Sequence, residues 1–353
     1  MRAPYTKQQV IDAIERKSTS AVVPTMLCTW WGEGLVEKHG KQALDTLQNE
    51  YPDDVITTFY KSPGETVSTT DNPEYRFGFQ NYTGHETHSI GKACVLLEDW
   101  GDLDAFAAHM PACQEPHVFD GVRKAVEAAG DRYVAGCFWR VFHERLWAIR
   151  GMENLMCDYY DDMPNLKRLG RILLEYNKGL VDGYAACGVD GIFTSDDLGH
   201  QTGPMMSPAI FRELYLPLYA ELIEYTHQKG LHFILHSCGD NSLLMEPLIE
   251  AGVDVFHPIQ TGCMDVEKTV RDYGDRISFL WGVDVQHLLP EESPQTVEQV
   301  LRKEKALLYK QQGGLLIAAG NGIMADTSLE NLRAMLRVTH EDERETAPLT
   351  APR

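Results

Sequence analysis

From about residue 130 onward the spacing of apolar positions alternates between two regimes. Short apolar runs at residues 133–140 (YVAGCFWR), 191–195 (GIFTS), 231–236 (LHFILH), 254–257 (DVFH), 277–281 (ISFLW) and 315–319 (LLIAA) have the length and aromatic or β-branched content of buried strands. Between them, residues 144–162, 165–187, 208–229, 241–251, 264–273, 295–312 and 328–340 carry helical patterns. The boundaries are punctuated: Ser207-Pro208 is an N-cap with proline in the first turn, Gly188, Gly230 and Gly252 each stop a helix before a strand, and Ser328-x-Glu330 opens the last helix. This alternation predicts a parallel sheet covered by helices. Two further runs, 21–29 (AVVPTMLCT) and 55–60 (VITTFY), bring the strands to eight, the number that closes a (β/α)8 TIM barrel of the α/β class.

Residues 61–130 break the rhythm, because 62–88 are rich in Gly, Pro, Thr, Tyr and Asp without a helical period. They are expected to form an excursion over one barrel end, with a small antiparallel element near 86–97, inside a single domain of residues 1–340. Residues 1–20 look like a short amphipathic helix carrying Val10, Ile11 and Ile14, and 341–353 form a polar tail.

Charge narrows the function classes. The 353 residues hold 32 Lys plus Arg against 52 Asp plus Glu, a formal charge of -20. Without a dense basic run, nucleic acid and anionic membranes are poor partners. The longest uncharged stretch, residues 311–325, is shorter than the roughly 18 apolar residues of a membrane span and contains four glycines. No secretory core opens the chain, and the eight cysteines form no C-x-x-C pair, so they read as reduced thiols in a cytoplasmic protein.

In a (β/α)8 barrel the carboxyl ends of the strands build the site. Here these ends carry Trp30 and Trp31, Trp139 and Arg140, Asp196 and Asp197 with His200, His236 and Cys238, His257 with Gln260, Trp281 with Asp284, and Asn321. Residues i and i+2 of an extended segment point the same way. The imidazole of His236 and the thiol of Cys238 can therefore converge on Zn²⁺, or they can be a hydrogen-bonded histidine and a small buried filler. Of the adjacent acids, one is expected to cap a turn and the other to serve acid–base chemistry or a metal. Trp30, Trp139 and Trp281 offer an aromatic lining for a planar ligand, and Arg140 either grips an anionic group or makes a structural ion pair.

The run DGIFTSDDLGHQTGPMMSPAIFRELYLPLYAELIEYTHQKGLHFILHSCGD, followed by LIEAGVDVFHPIQ, DYGDRISFLWGVD and GNGIMADTSLENLRAML, resembles the uroporphyrinogen decarboxylase superfamily over roughly residues 130–340, and in particular its corrinoid-linked methyltransferase branch. DD-x-G-x-Q, SP-x-x-F, H-x-CG and ENL-x-AM occur in that order. True decarboxylases of the family carry an arginine motif of the type RQAGR near the N-terminus, where this chain reads PTMLCTWWGEG.

The resemblance implies a barrel enzyme that moves a methyl group between a small substrate, such as a methoxylated aromatic, and a corrinoid carried by a partner protein. A homodimer is left open. It also implies zinc held by His236 and Cys238 with a later cysteine, but that later position is Asn321 here. Asp196 or Asp197 is the expected third ligand, with Cys263 behind them. Zinc, or a protonated Asp196 or Asp197, would then serve as electrophile, with His236 and Cys238 in the same catalytic cluster. Trp30, Trp139, Arg140, His200, Gln260, Trp281, Asp284 and Asn321 would contact substrate. A decarboxylase acting on another carboxylated substrate, and a non-catalytic binding barrel, are the alternatives.

Overall fold

The computed structural model of the chain describes residues 2–19, 22–32, 34–61, 95–108, 110, 116–310 and 312–341. Its strands are β1 (Thr25–Met26), β2 (Val55–Phe59), β3 (Tyr133–Trp139), β4 (Gly191–Ser195), the short pair β5 (Gly199–His200) and β6 (Gly203–Pro204), β7 (His232–His236), β8 (Val255–His257), β9 (Ser278–Val283) and β10 (Leu315–Ala319). Eight of them form one parallel sheet in the order β1-β10-β9-β8-β7-β4-β3-β2. Its two edges nearly close on each other: the Asp54 amide donates to the Thr25 carbonyl at 3.0 Å, and the hydroxyls of Thr29 and Thr57 meet at 2.6 Å. With the helices outside, this is a (β/α)8 TIM barrel.

Alternation along the strands sorts the core into two shells. Met26, Val55, Tyr133, Ala135, Cys137, Phe193, Ile234, Val255, Leu280, Leu316 and Ala318 fill the barrel. Val134, Phe138, Ile192, Phe233, Leu235, Phe256, Phe279, Trp281 and Ile317 face the helices. Val10 and Ile14 of the helix Lys7–Ile14 join the inner shell and plug the amino-terminal end of the barrel. A reciprocal capping box between Thr6 and Gln9 starts that helix, and the Gly314 amide donates to Ala13 at its end. One mouth is sealed, so the other is left for chemistry.

Departures from the sequence reading have local causes. Strand β1 covers two residues of the expected 21–29, because the Asp53 carboxylate accepts the amides of Leu27 and Cys28, each at 2.8 Å, and draws the chain into a 3-10 turn at Cys28–Trp30. The expected helix 144–162 breaks at Gly151 (φ 80) into His143–Arg150 and Met152–Asp161. The expected 295–312 is a helix Pro294–Leu308 preceded by the short Leu288–Glu291. Within 61–130, Asp120–Ala129 forms a helix against β2 and β3, the crossover a parallel barrel requires between them. Most of the antiparallel element placed near 86–97, and nearly all of the polar tail, lie outside the described residues. Among the described residues no helix is long and apolar enough to cross a membrane.

Gly136 in β3 is set by packing. A Cβ there would sit 2.2 Å from the ring of Tyr184, whose hydroxyl accepts the Tyr60 amide at 2.9 Å and donates to the Cys137 carbonyl. Held at its far end, the ring has little room to retreat. Gly136→Ala is expected to cost about 1–3 kcal/mol, read as a lower midpoint in urea unfolding; an unchanged midpoint would show that the ring yields.

Candidate active site

The inward alternation runs on past the strand ends, and it selects the side chains at the open mouth. Cys137 leads to Trp139, Phe193 to Ser195 and Asp197, Ile234 to His236 and Cys238. Two adjoining cavities result. A smaller one of about 360 Å³ is lined by Trp30, Trp31, Phe59, Trp139, Arg140, Glu144, Ser195, Asp197, His236 and Asn321, among others. A larger one of about 490 Å³ is lined by Cys238, Gln260, Asp284, Gln286, Asn321 and Asp326, with the backbone of Gly282, Gly320 and Gly322. Asn321 and Gly322 border both.

Asp197, His236 and Cys238 converge. The Cys238 sulfur lies 3.3 Å from His236 Nε2, and Asp197 Oδ1 lies 3.6 Å from the same nitrogen. Three donors of one tetrahedral zinc site, with bonds of about 2.0–2.3 Å, stand roughly 3.5 Å apart, so the spacing fits. Among the described residues this is the group of three His, Cys, Asp or Glu whose ligand atoms lie within 4.8 Å of one another. Charge agrees with geometry. Burial, and then Asp197, push the Cys238 thiol well above its usual range, and burial holds His236 below its own. A divalent cation reverses that balance at the sulfur.

The loop is tightly built. Cys238 donates its amide to Asp197 Oδ1 at 2.9 Å, and Gly239 donates to Gln260 Oε1 at 2.7 Å. Gly239 has φ +83, and a Cβ on it would fall 2.3 Å from the backbone of Gly199, so the glycines of the two loops permit their contact.

Asp196, expected as a metal ligand and catalytic acid, is neither placed nor free for those roles. Fully buried, it points away from the pocket and accepts the amides of Phe142 (3.0 Å), His143 (2.7 Å) and Glu144 (2.7 Å) and the Tyr219 hydroxyl (2.6 Å). It is a positioning residue that ties the start of the helix His143–Arg150 to the end of β4. Cys263 lies outside the cluster.

Trp281 also departs from expectation. It is 0% exposed and faces the helices, because Leu280 takes the inward position. Trp30 and Trp139 do not hold a slot open either: their rings stack on each other at 6.4 Å, and Trp30 covers His257 at 4.9 Å. The aromatic wall is therefore Trp30, Trp31, Trp139 and Phe59. His200 is exposed on the β5–β6 pair and lines neither cavity, its carbonyl accepting the Asp240 amide. Asp284 lines the larger cavity while accepting the amides of Gln286 and His287. Arg140 lines the smaller one with a left-handed backbone, φ 68. Asn321 Oδ1 accepts the Gly322 amide at 2.7 Å, which turns Nδ2 toward the Cys238 sulfur at 3.4 Å. Its amide therefore donates to the sulfur.

The sequence does not single out Glu144, since an acid in the first turn of a helix reads as ordinary dipole compensation. Its Oε2 accepts the Ser195 hydroxyl at 3.1 Å and the Asp197 amide at 3.3 Å. Burial, then the charges of Asp197 and Asp196, push its carboxyl up to about 8, against the smaller opposing pull of Arg140. A carboxyl kept protonated near neutral pH can give a proton to a leaving oxygen, which a carboxylate cannot.

Residues 107–342 match the uroporphyrinogen decarboxylase family over two thirds of the chain. The chain belongs to that family. Within the range covered by it lie all three convergent donors, Glu144 and Asn321. A methylated-thiol–coenzyme M methyltransferase of Methanosarcina mazei is 29% identical over 157 residues, 44% of this chain but 39% of that protein's length. The fold is shared with the solved structure of a methyltransferase from Methanosarcina mazei at a TM-score of 0.63, 14% identity and coverage of 95% and 98% of the two chains.

The folded chain holds the Glu144 proton more tightly than the unfolded chain, whose carboxyl titrates near 4.5. The stability it contributes is full below that pH and is lost as pH rises towards 8. Glu144→Gln is therefore expected to melt progressively higher than the wild type as pH is raised across this window in differential scanning calorimetry. Two curves that stay parallel would contradict the assignment.

Proposed function

We propose that the protein is a corrinoid-dependent methyltransferase. It moves a methyl group between a small methyl-bearing substrate, a methoxylated aromatic or a thioether, and the cobalt of a corrinoid held by a separate protein. The observation that carries this reading is the convergence of Asp197, His236 and Cys238 at the open mouth, beside an aromatic-walled pocket. Family membership and the methyl-transferring relative support it.

Zinc held by His236, Cys238 and Asp197 would act as a Lewis acid that lets a thiol or ether oxygen carry negative charge at neutral pH. The chain's own groups do the rest. Trp30, Trp31, Trp139 and Phe59 exclude water from the apolar part of the substrate. Glu144 holds a proton for a leaving oxygen, and Asn321 steadies the Cys238 sulfur by its hydrogen bond. The larger cavity, open beside Cys238, leaves room for the second reactant to reach the same point.

Charge disfavours the decarboxylase reading. A substrate with several carboxylates would meet Arg140 as the one basic side chain of the smaller cavity among the described residues, offset there by Asp197, and Asp284 and Asp326 in the larger. The test is to mix zinc-loaded protein with reduced cobalamin and a panel of methoxylated aromatics and thioethers, and to follow methylation of cobalt by absorbance. Methyl transfer that falls on the order of 10²-fold or more in Cys238→Ala is expected, since a Lewis acid supplies several kcal/mol. Release of CO₂ from a carboxylated substrate, without methyl transfer, would reverse the reading.

A further inference from the structure

His257 closes β8 one strand away from His236, fully buried, and its two ring nitrogens have different partners. Nε2 lies 3.0 Å from the Ala319 carbonyl, and Nδ1 lies 2.6 Å from Nδ1 of His236. A carbonyl oxygen only accepts, so the proton of His257 is on Nε2. A second proton on Nδ1 would make a fully buried imidazolium whose two nitrogens face a carbonyl and another imidazole rather than a carboxylate, a costly burial of unpaired charge. Its Nδ1 is then a lone pair. The 2.6 Å contact consequently requires His236 to donate from Nδ1, which leaves the lone pair of His236 on Nε2. That nitrogen is the one facing the Cys238 sulfur at 3.3 Å and Asp197 Oδ1 at 3.6 Å. Trp30 stacked on His257 at 4.9 Å and 22°, and Phe193 edge-on at 5.9 Å, lock the ring between them.

We infer that His257 is a positioning residue: through a relay from the Ala319 carbonyl it sets His236 in its Nδ1–H tautomer and presents the Nε2 lone pair to a cation shared with Asp197 and Cys238. A metal-bound histidine is commonly oriented by a partner on its other nitrogen, usually a carboxylate, a carbonyl or water. Here a neutral imidazole stands between the ligand and the carbonyl. It transmits the carbonyl's acceptor character across a second ring without placing a further charge beside Asp197.

The inference rests on the proposed metal site, so the experiment separates the two. In metal-free protein labelled with ¹⁵N-histidine, long-range proton–nitrogen correlation spectra, assigned with His236→Gln and His257→Asn, should show His236 protonated at Nδ1 and His257 at Nε2. Zinc affinity, measured by competition with a chelator, should fall about 10–100-fold in His257→Phe. His257→Asn places a side-chain oxygen close to the lost Nδ1 and should restore affinity to within a few-fold of wild type. A His236 proton on Nε2 in the wild type overturns the inference, and so does a folded His257→Phe protein that binds zinc as tightly as wild type. If His257→Phe fails to fold, the tautomer signals and the Asn variant decide. Wild-type protein that takes up no zinc counts against the metal site, while the nitrogen signals still decide the tautomer.

Discussion

A single buried carboxylate organises the open mouth of this barrel. Asp196 sits where β4 ends, at 0% exposure, a position that is costly for a charged or polar group unless its oxygens are satisfied. Four donors satisfy them: three consecutive amides at the start of the helix His143–Arg150 and the hydroxyl of Tyr219 from the helix Leu216–Gln228. That bond set joins the segment after β3 to the segment after β4. It delivers Glu144 to the pocket and turns Asp197, the next residue, inward. The device recurs around the rim, where Asp197 holds the amide of Cys238 and Gln260 holds that of Gly239. Strand ends run out of ladder partners, and polar side chains of neighbouring loops take over their amides.

The chemistry of the site comes from burial acting on groups of unlike charge. A thiol driven to stay protonated, two histidines driven to stay neutral and a carboxyl driven up to about 8 make a pocket that suppresses net charge of its own. A divalent cation bound among Asp197, His236 and Cys238 would reverse that balance at the sulfur. The aromatic wall bounds the cluster on one side, and the larger cavity opens on the other.

Much of this was legible in the amino-acid sequence. The alternation of apolar runs and helical stretches was enough for the barrel, and the i, i+2 spacing of His236 and Cys238 was enough to put imidazole and thiol on one side. What could not be read there was parity at the strand ends. In Asp196-Asp197 and Leu280-Trp281 one residue of each pair faces inward, and a shift of one residue exchanges them; the barrel register turns Asp197 and Leu280 in, Asp196 and Trp281 out. Glu144 escaped because its place depends on amides three to five residues past β3 meeting a carboxylate some fifty residues later. The partnership of His257 with His236 depends on a neighbouring strand, which periodicity does not report. The sequence shows Asn321 only as a missing cysteine, because its hydrogen bond to the Cys238 sulfur depends on the loops after β7 and β10 meeting at the barrel mouth.

The proposed role of Asp197, His236 and Cys238 as ligands of one divalent metal can be checked at the metal itself. Zinc-edge X-ray absorption of protein loaded with one equivalent of zinc tests it most directly. The expected shell has one sulfur at about 2.3 Å and the remaining ligands nitrogen or oxygen at about 2.0–2.2 Å, with the sulfur lost in Cys238→Ser. A sulfur-free shell in the wild type, or a shell of several sulfurs, would contradict it.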